Sequence, residues 1–425
     1  MKRRILSIFC VLALCLGLLP GTAWAADEVS YIEYSWNENT STLTSETKSV
    51  TDYTALSGSI STTTWSDGWY VVSDNATNTG RSNIKVSGTV NLILTSGKTL
   101  TLNGPNISLQ DSSAVLNIYG QAGNTGKLSI TAGNSSGDAG INLNGGTLNI
   151  HGGKVTAKGY TDSATKSAPG IDVGTSTLTV YGGEVTAEAG TYSSAGYGAG
   201  IRVVTDGTVN IHGGTVTATG ASFARANDYP GAGIGGSGST GETCGNVTIT
   251  GGTVTANGGG GYLQRAAAGI GGGCGNSSQG GGNVIISGGT VTANGGKASR
   301  NDNVQAPGIG GAKYSTGFTG STGDAGTFST GTNGSAVITT TGGIQDETSK
   351  NSWQGIIDGT VYGTVTLPDS LKTLNKDLTV PSGATLILPD GTTTRGAITV
   401  NGTLTVDSGS TVTNSGTITV DSGGT

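Results

Sequence analysis

Leu148–Gly159 reads LNIHGGKVTAKG, and the phrase returns at 178–190 (LTVYGGEVTAEAG), 209–220 (VNIHGGTVTATG), 247–258 (VTITGGTVTANG) and 284–295 (VIISGGTVTANG). Within the first copy, apolar residues from Leu148 to Ala157 alternate with polar ones, which is the period of a strand that buries one face. The central glycine pair fits a tight turn that needs positive φ. Each copy therefore predicts two short strands joined by a turn.

A Gly-Ile pair precedes each copy and one later segment, with its isoleucine at 141, 171, 201, 234, 270 and 309, at intervals of 30, 30, 33, 36 and 39 residues. Such a period is typical of a solenoid. With Gly-Ile as a third strand, the sequence predicts an all-β, parallel β-helix with coils of about 30 residues. One coil buries about six modest apolar side chains, worth roughly 1.5–3 kcal/mol each. Ordering its roughly 30 residues costs about 1–2 kcal/mol apiece, so a coil is stable only when stacked.

Residues 1–25 carry Lys2, Arg3 and Arg4, an apolar run and the terminal Ala23-Trp24-Ala25. This is the pattern of a signal peptide with its cleavage site. The short apolar run and the Pro-Gly that follows it disfavour a membrane helix. We therefore expect a secreted protein with no membrane span after signal removal, and association with the cell wall is an open extension of that expectation.

The rest of the chain divides into three predicted segments. Residues 26–83 lack the repeat, and their aromatic side chains (Trp36, Trp65 and Trp69) are expected to cap the open N-terminal end. Residues 84–345 form the β-helix. In 346–425 a Leu/Ile-Thr-Val phrase recurs every 20 residues, at 378, 398 and 418, which predicts a tighter β-solenoid or a chain of short hairpins. A strand has just begun at Thr425, so we expect a downstream segment or a partner there.

Composition narrows the classes of partner. The chain has a formal net charge of −6, and loss of three basic residues with the signal makes it about −9. A strongly acidic chain is a poor ligand for nucleic acid.

The two cysteines of the mature chain, Cys244 and Cys274, form a disulfide between neighbouring loops or remain free thiols. No metal site or cofactor is predicted, and the oligomeric state is left open.

Aligning the copies predicts outward ladders along the stack. Lys154 lies over Glu184, one coil away, and Lys158 lies over Glu188. His151, Tyr181 and His212 stack in front of the glycine pairs, and we interpret them as a solvated ladder. Two coil rises of about 4.8 Å separate the histidines, too far for one Zn²⁺ with ligand bonds near 2 Å.

The loops between the last strand of one coil and the next Gly-Ile should emerge on one edge of the stack. Aromatic rings there can stack on the C–H faces of sugar rings, and the arginine guanidinium can donate two parallel hydrogen bonds to a carboxylate. The alternative is that these side chains fold down and fix glycine-rich loops. The candidate glycan-binding residues are Tyr160, Tyr192, Tyr197, Phe223, Arg225, Tyr229, Tyr262, Arg265 and Arg300.

The repeated (V/L)-x-(I/V)-x-Gly-Gly-x-Val-Thr-Ala phrase, the Gly-Ile pairs and the segment from Thr64 to Val72 resemble the right-handed parallel β-helix class that includes pectate lyases and polygalacturonases. They resemble more closely the secreted repeat proteins of Gram-positive bacteria with carbohydrate-binding or adhesin-like character. The resemblance implies a right-handed coil and specifies activity poorly.

A catalytic site of that class would need carboxylates about 5–10 Å apart. Asp138, Asp172 and Asp206 fall on consecutive coils at different offsets from their isoleucines, so they are not expected to stack. We therefore predict no catalytic residues and a noncatalytic, secreted or cell-surface β-solenoid that binds polysaccharide, including acidic glycan, or acts in adhesion. A polysaccharide lyase or glycoside hydrolase, and a structural stalk or spacer, are the alternatives.

Overall fold

The computed structural model describes residues 27–133, 139–160, 168–190, 198–222, 229–238, 242–275, 279–301, 303–316, 319–331, 334–367 and 371–425. Almost all regular structure in these residues is β-strand. The one helix there is a single 3₁₀ turn, Lys350–Ser352. The described part of the chain contains no helix long and apolar enough to cross a membrane.

Three parallel sheets run the length of the repeat region, and each coil contributes one strand to each sheet. Sheet 1 has nine strands, and the last six of them are built on the Gly-Ile pairs. They are Thr64–Trp65, Ile84–Val86, Ile107–Leu109, Ile141–Asn142, Ile171–Gly174, Ile201–Val203, Ile234–Gly235, Ile270–Gly271 and Ile309–Gly310.

The two halves of the repeated phrase form the other sheets. Sheet 2 begins with the first half of Gly68–Asn78 and continues with Thr89–Leu94, Val115–Gly120, Thr147–Ile150, Thr177–Val180, Thr208–Ile211, Asn246–Ile249, Asn283–Ile286 and Thr327–Ser329. Sheet 3 begins with the end of Gly68–Asn78 and continues with Thr99–Gly104, Lys127–Ala132, Lys154–Lys158, Glu184–Glu188, Thr215–Thr219, Thr253–Asn257, Thr290–Asn294, Val337–Thr341 and Gly355–Ile357. Thr54–Ser59 pairs in parallel with Gly68–Asn78 and lies at the N-terminal end.

The register between coils is the one that the sequence alignment predicts. Ile141 pairs with Ile171 and Ile171 with Ile201 in sheet 1, and Leu148 pairs with Leu178 in sheet 2. These side chains are fully buried and form one continuous apolar core. The chain is thus a right-handed parallel β-helix, as predicted.

The outward ladders confirm the same register. Lys154 Nζ lies 2.6 Å from Glu184 Oε2, and Lys158 Nζ lies 3.9 Å from Glu188 Oε2. Both pairs are well exposed, so each is worth only about 0–1 kcal/mol. They report the stacking and add little to its stability.

The C-terminal segment begins with one hairpin, Gly355–Ile357 with Thr360–Tyr362, and continues as a second, tighter solenoid, so the alternative of a chain of short hairpins is wrong for it. Leu378 pairs in parallel with Ile398, and Ile398 with Ile418. Its three walls are Thr360–Tyr362, Leu378–Val380, Ile398–Val400 and Ile418–Val420; then Thr364–Thr366, Thr385–Leu388 and Thr403–Val406; then Thr373–Leu374, Thr393–Thr394 and Thr413–Asn414. It has its own apolar core.

Residues 29–50 form an antiparallel hairpin of Val29–Asn37 and Thr42–Val50, which we call the N-terminal hairpin. It lies along the side of the β-helix over the turns between sheets 2 and 3. Tyr31 packs against Trp69 and Tyr119, each at 4.7 Å between ring centroids, and further along Trp36 stacks on His212 at 4.4 Å.

The expected end cap is therefore wrong for Trp36 and Trp69, which lie on the side of the stack. The physical reason is the outward ladder that continues from Tyr119 through His151, Tyr181 and His212. This strip of aromatic rings packs against the aromatic face of the hairpin. Trp65 does lie in the first coil, where it is fully buried.

Candidate functional site: a basic and aromatic loop edge

The loops between sheet 3 and sheet 1 stack on one another at a single edge of the β-helix. A Cβ on Gly190 would lie 1.9 Å from the carbonyl oxygen of Tyr160, and one on Gly296 would lie 2.0 Å from that of Gly259. Only glycine allows such close approach of successive backbones. The glycine that closes the other phrases meets a carbonyl oxygen of its own loop instead: a Cβ on Gly159 would lie 2.1 Å from that of Ala168, and one on Gly295 would lie 1.9 Å from that of Ala306.

The structure describes five of the nine candidate residues. Tyr192, Tyr197, Phe223 and Arg225 lie outside the described residues, so their roles remain predictions. Tyr160 is half-buried at the first of these loops.

Arg265 is 9% exposed and holds the loops together. Its guanidinium carbon lies 4.5 Å from the ring centroid of Tyr229 and 5.1 Å from that of Tyr314. Its Nε donates a 2.9 Å hydrogen bond to the carbonyl oxygen of Gly275. The expected contact of Arg265 with ligand is therefore wrong, because its side chain is buried between the rings of Tyr229 and Tyr314. Of the two alternatives for this residue, the structure has the loop-fixing one.

Tyr262, on the same loop as Arg265, forms an accessible pair with Arg300 on the following loop. The guanidinium carbon of Arg300 lies 5.0 Å from the ring centroid of Tyr262. The backbone N–H of Arg300 also donates a 2.9 Å hydrogen bond to the backbone carbonyl oxygen of Tyr262. Arg300 is exposed and Tyr262 is partly exposed. A guanidinium and an aromatic ring thus reach solvent together.

The sequence argument considered only aromatic residues and arginine and therefore missed two lysines: Lys297, on the same loop as Arg300, and Lys313, in the segment that follows the sheet 1 strand Ile309–Gly310. Lys297 is exposed, and its loop packs closely on Gly260. Lys313 pairs with Ala266 in an antiparallel strand pair. We define Tyr262, Arg265, Lys297, Arg300 and Lys313 as the loop platform. The distribution of charge in the sequence would have pointed to these lysines. Segments 258–269 and 311–316 contain no acidic residue, and segment 295–308 contains only Asp302.

A three-stranded antiparallel sheet holds the backbone of the platform in place. Arg265–Ala266 adds antiparallel to Lys313–Thr316, which in turn pairs with Thr319–Thr322. Beneath it, a buried cluster forms from Ala266, Ala298, Val304 and Ala306. The platform backbone is thus hydrogen-bonded and backed by an apolar layer, so little ordering remains for a ligand to impose.

Cys244 and Cys274, the two cysteines in the described part of the chain, are free thiols, so the disulfide alternative is wrong. Cys244 lies in the main core and pairs with Val204. Cys274 lies near the platform, with Sγ 3.2 Å from the Lys313 carbonyl oxygen. The unequal offsets of the two residues from their Gly-Ile pairs place them at different points of the coil. Burial raises the pKa of each thiol to about 12.

A second polar cluster lies on sheet 1. Arg202 binds Asp172 at 2.7 Å through Nη1 and Glu242 at 2.6 Å through Nη2. Burial would lower the pKa of Arg202, but its bonds to Glu242 and Asp172 raise it overall. Asp172 and Glu242 therefore share one guanidinium, and both carboxylates are ion-paired. Asp138 lies outside the described residues, and Asp206 occupies a turn at φ 70°.

The described residues contain no group of three or more His, Cys, Asp or Glu that could hold a metal ion. Five segments of the chain match the family model described as Beta helix repeat: 148–172, 178–201, 209–238, 247–274 and 284–313. The matched segments are the five regular coils, and the last two contain all five residues of the loop platform. No curated protein and no solved structure shows a significant match to this chain.

Proposed function

We propose that this protein is a noncatalytic, secreted β-solenoid that binds acidic glycan at the loop platform. The observation that carries the proposal is the exposed Tyr262–Arg300 pair on loops rich in basic residues, in a chain with a net charge of −6. Local positive charge on an acidic protein selects anionic ligands. Arginine binds carboxylate through paired hydrogen bonds. The tyrosine ring adds an apolar surface for the C–H face of a sugar.

The buried Arg265 supports the same proposal indirectly. Its sandwich between Tyr229 and Tyr314 ties three loops together, so the exposed pair is held on an ordered surface. Pre-ordered sites lose less entropy when they bind. A stalk or spacer has no need of an ordered basic edge, which favours the binding function over that alternative.

The test compares two polymers of the same backbone, a linear polyuronate and its methyl ester, by calorimetry at low and moderate salt. We expect binding of the polyuronate, weaker binding of the ester, and a loss of affinity as salt screens the charges. Arg300→Ala should weaken binding about tenfold, the lower range for a charge-assisted hydrogen bond. Arg395→Ala removes an exposed arginine of the C-terminal solenoid and serves as the matched control.

Equal affinity for both polymers would contradict the acidic preference. Full affinity in the Tyr262→Ala/Arg300→Ala double variant would exclude the platform. Release of new reducing or unsaturated ends from the polyuronate in the presence of calcium would contradict the noncatalytic assignment.

A further inference from the structure

Both histidines of the chain lie beneath the N-terminal hairpin. The sequence contains two histidines, and they occupy the outward ladder two coils apart. His151 is 7% exposed and His212 is 8% exposed. The expectation of a solvated ladder is therefore wrong, because the hairpin covers both rings.

Both histidines contact the hairpin, and His151 does so through its uncharged form. His151 Nδ1 accepts a 3.1 Å hydrogen bond from the backbone N–H of Tyr34, which requires an unprotonated nitrogen. The His212 ring stacks on the Trp36 indole at 4.4 Å, with 14° between the planes. The docked hairpin therefore excludes water from two rings that titrate near neutral pH in solution.

Besides the histidine contacts, a buried cluster of Tyr31, Val71, Ile93 and Tyr119 and a hydrogen bond from Gln121 Nε2 to the Ser30 carbonyl oxygen hold the hairpin to the β-helix. Its one strand pairing with the β-helix among the described residues is Ile32 with Gly120. An isolated two-stranded hairpin is marginally stable in water. Docking and undocking of residues 29–50 can therefore occur without unwinding the coils beneath.

Several other titratable groups face these histidines. From the hairpin, Glu33 lies near His151 and accepts hydrogen bonds from Lys48 and the Tyr119 hydroxyl. The negative charge of Glu38 favours a higher pKa for both His212 and Tyr181. From the β-helix, the Tyr119 and Tyr181 rings flank His151 at 4.7 and 4.8 Å. The carboxylates attract protonated histidine, whereas the flanking rings keep water away. The tyrosines stay neutral through the acid range, because burial raises their pKa values.

We propose that the N-terminal hairpin is an acid-released strap, docked over the ladder at neutral pH and detached when the two histidines become protonated. Detachment uncovers the strip of Tyr119, His151, Tyr181 and His212 along the side of the solenoid.

The direction follows from proton linkage. Burial lowers the pKa of His151 to about 4, partly offset by Glu33 and by the bond from Tyr34, and burial also lowers the pKa of His212. When His151 is released into solvent, its pKa returns to the ordinary histidine value of 6.5. Below that pH the released state binds more protons, so acid favours release. Between pH 7.5 and pH 5, His151 alone shifts the docking equilibrium about 30-fold toward release, and His212 acts in the same direction.

Amide hydrogen exchange of the whole protein tests the strap. After correction for intrinsic rates, peptides from 29–50 should lose at least about 30-fold in protection between pH 7.5 and pH 5, while peptides from sheets 1 to 3 keep theirs. In the His151→Asn/His212→Phe double variant, Asn Oδ1 can still accept from Tyr34 and Phe can still stack on Trp36. We expect that variant to stay docked across this range. Glu33→Gln, as the control, should retain the pH dependence.

Unchanged hairpin protection at pH 5 would overturn the proposal, and so would the same pH dependence in the double variant. If the double variant does not dock, the wild-type protein still decides. Its two histidine ring signals in NMR should titrate below pH 6 and together with loss of hairpin protection. Titration near 6.5 while the hairpin remains protected would refute the strap.

Discussion

Replacement of Arg265 should loosen the loop platform without unfolding the β-helix. Arg265→Ala removes two ring contacts, at 4.5 and 5.1 Å, and a hydrogen bond to the Gly275 carbonyl. A buried cation over a ring is worth about 0.5–2 kcal/mol, and a hydrogen bond from a charged donor about 1.5–3 kcal/mol. Because Arg265 must itself be desolvated, we take a net loss of about 3 kcal/mol.

The effect should be local, since coils contact mainly their neighbours. A loss of about 3 kcal/mol corresponds to roughly a 100-fold increase in exchange of amides whose opening the sandwich controls. Exchange measured by mass spectrometry should therefore rise in peptides covering 259–266 and 311–316, while the strands of residues 147–219 remain unchanged. Arg265→Lys should recover little, because lysine lacks the planar fork and the Nε donor.

Affinity for glycan provides the second measurement. Arg265→Ala should weaken polyuronate binding indirectly, with increased loop exchange, whereas Arg300→Ala should weaken binding with exchange unchanged. If Arg265→Ala leaves loop exchange within about twofold of wild type, the sandwich does not fix the platform. If it abolishes the cooperative unfolding of the whole chain, the assumption of a local effect is wrong.

Three further outcomes are expected. Gly183→Ala should lower the free energy of unfolding in urea more than Gly97→Ala does. Both glycines have positive φ (81° and 75°), but only at Gly183 would the new Cβ meet a carbonyl oxygen, at 2.5 Å. The difference should be about 1–3 kcal/mol, and equal losses would refute the stacking argument. Cys244 and Cys274 should resist an aqueous thiol reagent at pH 8 in the native protein and react fully in denaturant, because burial raises both pKa values to about 12; rapid native labelling would contradict their burial. Lys154→Ala should change stability by less than about 1 kcal/mol, since its ion pair with Glu184 is exposed, and a larger loss in the urea midpoint would show that the pair does more than report the register.

The sequence by itself determined the solenoid. A period of two within each phrase and a period near 30 between phrases place Leu148, Leu178 and Val209 on one buried wall, and the structure pairs them in that order. Parallel stacking makes the neighbours of a residue readable from sequence offsets, because each coil repeats the path of the last. The same logic gave the ion pair of Lys154 with Glu184.

Only the tertiary structure decided what covers and fixes the surfaces. The hairpin is separated from His212 by many coils in sequence, so no periodicity predicts that Trp36 stacks on it. Similarly, the sequence could place Arg265 at the loop edge but could not say whether it points outward or lies between Tyr229 and Tyr314. Repetition encodes contacts between equivalent positions. Contacts between non-equivalent segments depend on the path of irregular chain and on which surface buries the most apolar area, and these are properties of the folded molecule.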